Sequence, residues 1–235
     1  MKLSEIFEQL TYGELSQLTM GGWDSEQIAP EDVRKVIAHV NLGLNDLYGR
    51  FWLKTGEVIL YLYDRISFYK LHNKYAVSNI ESTEEIKFIE DSRFYPFQND
   101  VLKIEEVYNL CGDYLCLNDK TKHCSLFTTA YDTIQVVHPF NETMISVQYR
   151  AKHPEIKWIE GFDPSTVEVD LPNVMLEPLL LFIGSRSYRA LNSDQNQEGN
   201  NYFQQYEMAC TRLKNLGYEI QTNLTNIKLE RNGWV

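Results

Sequence analysis

The stretch EPLLLFIGSRSYRALNSDQNQEGNNYFQQYEMACTRLKNLG, residues 177–217, decides the fold of this chain. Apolar residues recur at helical spacing on both sides of a polar break at 192–199, which predicts two helices rather than one. Proline is tolerated in a helix mainly in the first turn. Pro172 and Pro178 therefore place the start of the first helix near residue 175, and its apolar pattern continues to about residue 191.

The second helix follows directly after the break. Gly217 suits its C-terminal end, because glycine readily takes the left-handed conformation that closes a helix. A short break between two helices usually makes them antiparallel neighbours, so we expect a helical hairpin. The second helix has one apolar face to bury, formed by Phe203, Tyr206, Cys210 and Leu213.

A third long helix is predicted nearer the N-terminus, in APEDVRKVIAHVNLGLNDLYGRFWLK (29–54). Pro30 suits its first turn, and Glu31 and Asp32 suit the positive end of its dipole. The simplest arrangement packs the hairpin on this helix, because each of the three has one apolar stripe to bury. The stripe of the third helix consists of Val33, Ile37, Val40, Leu44, Leu47 and Phe51.

Two short helices are expected before residue 29. The segment LSEIFEQL (3–10) has one apolar face, and Ser4 is a suitable N-cap residue for it. Thr11 and Glu14 fit a capping box, which predicts a second short helix that begins there and ends at the glycines 21–22.

The periodicity changes at Gly56. Short segments rich in β-branched and aromatic residues, each bounded by turn residues, predict about six strands arranged as a small sandwich or barrel. A turn at CGD (111–113) predicts a hairpin between two of them. The strand segments are EVILYLYD (57–64), RISFYKL (65–71), VLKIEEVYNL (101–110), YLCLND (114–119), SLFTTA (125–130), TIQVVHP (133–139) and TMISVQYRA (143–151).

The predicted fold class is therefore α+β. Residues 1–55 and 172–217 form a helical bundle, residues 56–171 form a β-rich insertion that is sandwich- or barrel-like, and residues 218–235 form an extended C-terminal arm. The length of 235 residues suits one large domain or two small ones with a real hydrophobic core.

The charge balance limits the classes of partner. The chain has 22 basic and 33 acidic residues and a net charge of −11, so its surface repels phosphate and tight direct binding to nucleic acid is not expected. The densest acidic segment, ESTEEIKFIED (81–91), predicts a solvated loop or short helix, with a docking patch as the second interpretation. Residues 1–10 lack the apolar core of a signal peptide, and the run at 179–183 is too short to span a membrane.

The sequence gives no positive sign of catalysis. It lacks the common nucleotide-binding, nucleophile-elbow and HExxH motifs, and its five histidines are scattered. Asp163 and Glu168 could be nominated as a carboxylate pair, but Asp163 before proline is better explained as a turn residue. We therefore expect neither an enzyme nor a bound cofactor. A zinc module with poor ligand spacing remains an alternative, on Cys111, Cys116, His123 and Cys124.

Residues 218–235, YEIQTNLTNIKLERNGWV, mix apolar and polar residues without helical periodicity. They are either a last strand of the parent domain or an arm that binds a neighbouring protein through strand addition and an aromatic anchor. A terminal tryptophan left in water is unusual, which favours docking. The expected contact residues are Ile220, Leu224, Ile227, Leu229, Trp234 and Val235.

The order of these segments resembles the head–tail adaptor proteins of tailed bacteriophages. The nearest kind is the portal-binding ring protein of short-tailed phages, also called tail tubular protein A or head-completion protein. The resemblance is carried by the helix at 29–54, by VQYRAKHPEI (147–156) at the exit of the β-rich insertion, and by LPNVMLEPLLLFIGSRSYRAL (171–191) followed by YFQQYEMACTRLKNLG (202–217). It covers the helical framework best.

The resemblance implies a structural, dodecameric ring of about twelve copies under the portal protein of a virion, through which genomic DNA passes without specific binding. The arm would bind the portal protein, and the β-rich insertion would face the downstream tail (nozzle) protein. The chain would be made in the host cytoplasm, reach the head–tail interface without a membrane partner and take part in DNA ejection. Ring-subunit contacts are expected from Arg186, Tyr188, Arg189, Tyr202 and Tyr206.

Two further classes of function stay open beside the zinc-stabilised binding module. One is another structural protein of the virion tail or baseplate, which a ring position at the portal would distinguish from the adaptor. The other is a soluble enzyme of unidentified class, which a pocket with converging polar groups and perturbed carboxylates would indicate.

Overall fold

The computed structural model describes residues 1–16, 18, 28–91, 94–137, 144–189 and 196–218. These residues form a mixed α+β fold with four α-helices and two antiparallel sheets, which confirms the predicted fold class. The helices are α1 (Leu3–Tyr12), α2 (Pro30–Arg50), α3 (Leu176–Arg189) and α4 (Asn196–Asn215). The strands are β1 (Thr55–Tyr61), β2 (Phe68–Lys70), β3 (Ile89–Glu90), β4 (Val101–Asn109), β5 (Phe127–Ala130), β6 (Thr133–Gln135) and β7 (Met144–Ala151).

The start of the chain differs from its prediction. Lys2 occupies the N-cap position of α1, so the prediction of Ser4 as the N-cap is wrong. Thr11 lies inside α1, where its hydroxyl donates to the carbonyl oxygen of Phe7 at 2.8 Å. The predicted capping box of Thr11 and Glu14 is therefore also wrong. The Thr11 hydroxyl is hydrogen-bonded within α1, and the described residues that follow α1 form a turn and not a helix.

Helix α2 forms as predicted but ends at Arg50. The chain is already extended at Phe51, with φ −117° and ψ 145°. The predicted stripe is buried, except that Val33 is only half-buried and Val36 and Tyr48 join the buried face. Burial of a continuous stripe along α2 is what fixes this helix against the rest of the fold.

Helices α3 and α4 form the predicted hairpin. Glu177 in the first turn of α3 pairs with Arg212 in the last turn of α4, and Arg189 at the end of α3 donates to Asn200 near the start of α4 at 2.8 Å. These contacts at opposite ends show that the helices run antiparallel. Gly217 follows α4 with φ +82°, a left-handed conformation that glycine adopts at little cost.

The β-strands form two separate antiparallel sheets. The four-stranded sheet has the order β3-β1-β7-β4, and the three-stranded sheet has the order β2-β6-β5. Strands β1 and β7 pair along their length, from Thr55 opposite Arg150 to Tyr61 opposite Met144. The sheets do not close into a barrel within the described residues, so the barrel-like alternative is wrong.

The hydrophobic core consists of two clusters. One is formed by α1, α2, α3 and α4, and the other by the strands and their connecting loops. Residues 152–171, which follow β7, contribute Ile156, Val169 and Leu171 to the helical cluster. The backbone holds this segment to the start of α1, because the N–H of Leu3 donates to the carbonyl of Val167 at 3.0 Å.

Arg150 joins the sheet to the end of α2. This side chain on β7 is buried; its Nη1 donates to the carbonyl of Gly49 at 2.5 Å and its Nη2 lies 2.6 Å from Glu105 Oε1 on β4. The guanidinium also lies 5.6 Å from the ring of Trp52. A cation is favourable at the C-terminal end of a helix, so Arg150 stabilises both the helix end and the junction.

Candidate partner-binding surfaces

All six residues predicted to bind the portal protein lie outside the described residues: Ile220, Leu224, Ile227, Leu229, Trp234 and Val235. Tyr218, the last described residue, follows α4, and its side chain is exposed. Helix α4 therefore leads directly into the segment predicted to be the arm.

The three tyrosines predicted to contact neighbouring ring subunits pack within the chain. Tyr206 is fully buried and donates its hydroxyl hydrogen to Asp46 on α2. Tyr188 is buried as well, and its ring stacks on half-buried Tyr202 with 5.2 Å between centroids. Burial raises the pKa of Tyr188 to about 12. These aromatic side chains hold α2, α3 and α4 together, and the rings of Tyr188 and Tyr206 are closed to a neighbouring subunit.

The two arginines predicted for the same role are exposed. Arg189 donates to Asn200, and its guanidinium lies 4.9 Å from the ring of Phe203, so it is held against α4. Arg186 lies near His39 on α2. Burial, and to a lesser extent the positive charge of Arg186, lowers the pKa of His39. Arg186 and Arg189 are thus the members of the predicted set that can reach another subunit.

Large apolar side chains are exposed on the outward face of α4, at Met208, and in the turn that follows the helix, at Leu216. Met208 is 71% exposed and Leu216 is 67% exposed, and a shallow apolar depression along this face is bordered also by Thr211 and Asn215. Tyr218 continues the exposed apolar character just beyond the helix. Exposed apolar side chains that border one depression are typical of a surface that contacts another protein.

Helix α4 is tied to α2 by a charged cluster. The Arg50 guanidinium donates to both oxygens of Glu207, at 2.7 and 2.6 Å, and its Nε lies 2.6 Å from Asp46. It also lies 5.1 Å from the ring centroid of Tyr206. Hydrogen bonds from Arg50 lower the pKa of Glu207. A two-pronged arginine contact fixes direction as well as distance, so this cluster sets where α4 lies on α2.

Glu14 is placed in an environment that disfavours its charge. The side chain packs over Gly184 on α3, where an added Cβ would lie 3.1 Å from the Glu14 Cβ. Its Oε2 is buried and makes no hydrogen bond with a described residue. Desolvation raises its pKa, and the nearby Glu177 adds to the effect. The close approach at Gly184 brings Glu14 near Tyr188 and Tyr202, whose pKa values its charge raises in turn.

A groove of about 970 Å³ runs between α2 and residues 152–159. Asn41 fixes its far wall, because its amide donates to the Ile156 carbonyl at 2.9 Å and its oxygen accepts from the Ile156 N–H at 3.0 Å. Buried His153 fixes the start of the wall by accepting the Asp170 N–H at Nε2, at 3.2 Å. Burial lowers the pKa of His153, so this imidazole is held neutral.

The groove is basic on an acidic protein. Arg34, Lys152 and Lys157 line it, against a single lining carboxylate, Glu155. None of the three cations makes an ion pair with another described residue. Trp158, 45% exposed, lies 6.0 Å from the Arg34 guanidinium. The groove thus offers unpaired positive charge beside an exposed aromatic ring.

Residues 81–88 of the acidic segment belong to a fixed loop between β2 and β3, and residues 89–90 form β3 itself. The Ser82 hydroxyl donates to the Lys74 carbonyl at 2.5 Å, and the Lys87 amine donates to the Asn79 carbonyl at 2.5 Å. The loop exposes apolar side chains among its acids, with Ile80 73% exposed. Of the two structures predicted for the acidic segment, residues 81–88 form the loop and not the short helix.

The polar groups nominated for chemistry do not converge in the described structure. Asp163 begins a turn by accepting the Ser165 N–H at 2.9 Å, a bond that lowers the pKa of its carboxyl and confirms its role as a turn residue. All four cysteines are free thiols. Among the described residues no group of three or more His, Cys, Asp or Glu side chains is arranged to hold a metal ion, and this includes Cys111, Cys116, His123 and Cys124.

No protein-family model matches the chain, and no curated protein matches it either. Among the described residues, no helix is long and apolar enough to cross a membrane.

Sequence reasoning missed the basic groove altogether. Its signal is present in KHPEIKWIE (152–160), where basic and apolar residues are interleaved. The second half of the groove comes from α2, far earlier in the chain. Asn41 and Ile156, which are hydrogen-bonded across the groove, are separated by 115 residues in the sequence. A pattern that is completed only by tertiary contact cannot be found by scanning one segment.

Proposed function

We propose that this chain is a structural head–tail adaptor of a tailed bacteriophage, which forms a ring under the portal protein and joins the capsid to the tail. The observation that carries the proposal is the group of exposed apolar side chains at the end of α4, with Met208 on the helix and Leu216 and Tyr218 just after it, which leads into residues 219–235. Exposed apolar side chains at the end of a helix, followed by a segment with apolar residues among polar ones, suit binding to a protein rather than to a small molecule.

The division of the chain supports the same proposal. The segments that resemble the adaptor family, 29–54 and 172–217, contain α2, α3 and α4, whose side chains share one hydrophobic cluster. In the proposed ring these helices form bundles that pack side by side in about twelve copies. The two sheets pack as a sandwich-like module that faces the downstream nozzle protein, and residues 218–235 bind the portal protein.

Charge fits the proposed passage of DNA. A net charge of −11 gives a surface that repels a phosphate backbone, so DNA can move through the ring without being held. The protein is then a component of the virion with no enzymatic activity and no cofactor of its own. Arg186 and Arg189 are the exposed members of the predicted ring contacts, and in the proposed ring they pair with acids of the adjacent copy.

The first test is sedimentation of the native source lysate, with an antibody that follows this chain through the gradient. The proposal requires that the chain travel with DNA-containing particles of megadalton size at a fixed low copy number. A chain that stays at the top of the gradient as a small species contradicts the adaptor function.

A truncation tests the arm. Removing residues 219–235 should leave a folded protein, seen as an unchanged circular dichroism spectrum and a cooperative melt, that no longer joins the particle. Trp234→Ala should weaken incorporation in the full-length chain, and Asn232→Ala is the matched control in the same segment. Unfolding on truncation would show that these residues belong to the core of the domain and not to an arm.

A further inference from the structure

The groove between α2 and residues 152–159 has the chemistry of a docking site for an acidic, apolar segment. It is lined by three cations that make no ion pair with a described residue, and its exposed apolar groups are Trp158, Ile159 and Leu42. Its walls are held by hydrogen bonds between Asn41 and Ile156, so it is formed before any partner arrives. A preformed site loses less conformational entropy on binding than one that must order itself.

The complementary surface is present elsewhere on the same chain. The loop between β2 and β3 exposes Ile80 and Ile86 together with Glu81 and Glu85. Neither of these two carboxylates makes an ion pair with a described residue. The loop is held by the internal hydrogen bonds of Ser82 and Lys87 described above, so its isoleucines and acids are presented in a fixed arrangement.

We propose that the 80–86 loop of one copy binds the groove of the next copy, with Glu81 and Glu85 facing Arg34 and Lys157 and with Ile80 or Ile86 against Trp158. The argument is charge complementarity: the groove concentrates unpaired positive charge on a chain whose net charge is −11, and the loop supplies unpaired carboxylates beside apolar groups.

This contact joins two different surfaces of the same chain. Such a heterologous contact repeats from copy to copy and closes into a ring when the rotation permits. The inference therefore deepens the proposed function by naming the surfaces through which neighbouring subunits meet, and it rests on the ring for its biological setting. It also gives the acidic segment 81–91 a role, as the interacting edge of each subunit.

Paired charge reversals test the contact. The groove variant carries Arg34→Glu and Lys157→Glu, and the loop variant carries Glu81→Lys and Glu85→Lys. All four side chains are exposed, so each variant should fold, which its melting curve checks. The matched control carries Lys120→Glu and Glu8→Lys, two exposed charges outside both surfaces. Self-association is measured by sedimentation velocity over a concentration series at low and at high salt.

The wild-type chain should associate more strongly at low salt, because exposed charges are screened as ionic strength rises. Each variant alone should associate about tenfold more weakly or worse, since like charges now face each other. An equimolar mixture of the two variants should recover association, because the reversed groove of one fits the reversed loop of the other. The control should behave as the wild type does.

Several results overturn the contact. These are a wild-type chain that stays monomeric up to its solubility limit, reversals that leave association unchanged, or a mixture that does not recover. Loss in the groove variant alone means that a different segment occupies the groove, and short duplex DNA binding to the wild type but not to the groove variant means that the groove holds phosphate. Variants that still join particles at the normal copy number leave the adaptor function standing without this contact. Recovery in the mixture, with no chain found in particles, leaves the contact standing without that function.

Discussion

Replacing Gly56 on β1 by alanine should destabilise the protein, because there is no room for a side chain at this position. Gly56 lies directly opposite Tyr149 on β7, and the tyrosine ring lies over the glycine. An added Cβ at Gly56 would lie 2.5 Å from both Cε2 and Oη of that ring. The ring is buried, and its hydroxyl donates to Asp100 Oδ1 at 2.9 Å. Gly56→Ala must therefore displace a buried aromatic ring that is held at its far end.

The size of the effect follows from two opposing contributions. Overpacking a buried site costs about 1–3 kcal/mol, and a strained bond to a carboxylate adds to it, since such bonds contribute about 1.5–3 kcal/mol. Replacing a glycine inside a strand by alanine raises the free energy of unfolding by about 0.5–1 kcal/mol, because the unfolded chain loses conformational freedom. Gly56→Ala should thus lower the free energy of unfolding by about 2–4 kcal/mol. Tyr149→Val removes the ring atoms that meet the new methyl group and keeps a β-branched side chain.

The sign should change in the second background. In the Tyr149→Val protein, Gly56→Ala should raise the free energy of unfolding by about 0.5–1 kcal/mol, because only the glycine's backbone freedom is then removed. Urea unfolding of the wild type, both single variants and the double variant gives the coupling directly. A destabilisation of equal size in both backgrounds would refute the reasoning, since the cost would then lie in the backbone and not in the ring.

Three other changes test the helical part of the fold. Glu14→Gln should stabilise the protein at neutral pH, because the pKa of Glu14 is raised in the folded state and its ionisation lowers stability as the pH rises. The gain in stability over the wild type should vanish below the ordinary glutamate pKa, as thermal melts at several pH values would show. Arg50→Lys keeps the charge but loses the two-pronged contact with Glu207; since these groups are partly exposed, urea unfolding should show a loss of only about 1 kcal/mol. Asn41→Ala leaves both backbone groups of Ile156 unpaired and should cost about 1–3 kcal/mol by the same measurement, with faster amide exchange at Ile156.

The helices were the most predictable part of the fold. Each long helix has a continuous apolar stripe, and local signals such as Pro30 and Gly217 mark its ends. The cap of α1 was not predictable in the same way, because Ser4 has the chemistry of a cap residue and Lys2, which occupies the N-cap position, does not. Tertiary contacts decide between such candidates: the N–H of Leu3 is held by Val167, more than 150 residues away, which sets the start of the helix.

The site was less predictable than the fold. Tyrosines on α3 and α4 have the composition of an interface, yet Tyr188 and Tyr206 are buried within the chain. An aromatic side chain on an amphipathic helix fits a core or an interface equally well, and only the packing of neighbouring helices separates the two. The cations of the groove were overlooked because Arg34 and Lys157 are brought together by the fold and not by the sequence.

The end of α2 connects the two parts of the molecule. Arg50, its last residue, holds α4 through Glu207, and one residue earlier the carbonyl of Gly49 accepts a hydrogen bond from Arg150 of the central strand β7. Both cations lie where the helix dipole is negative, so each contact is strengthened by the helix it joins. A displacement of α4 by a partner would therefore reach the sheet through directional bonds, of which the Arg50–Glu207 pair is partly exposed and the Arg150 contacts are buried. In an adaptor whose helices contact one partner and whose strands contact another, such a joint lets the subunit carry load between them as one body.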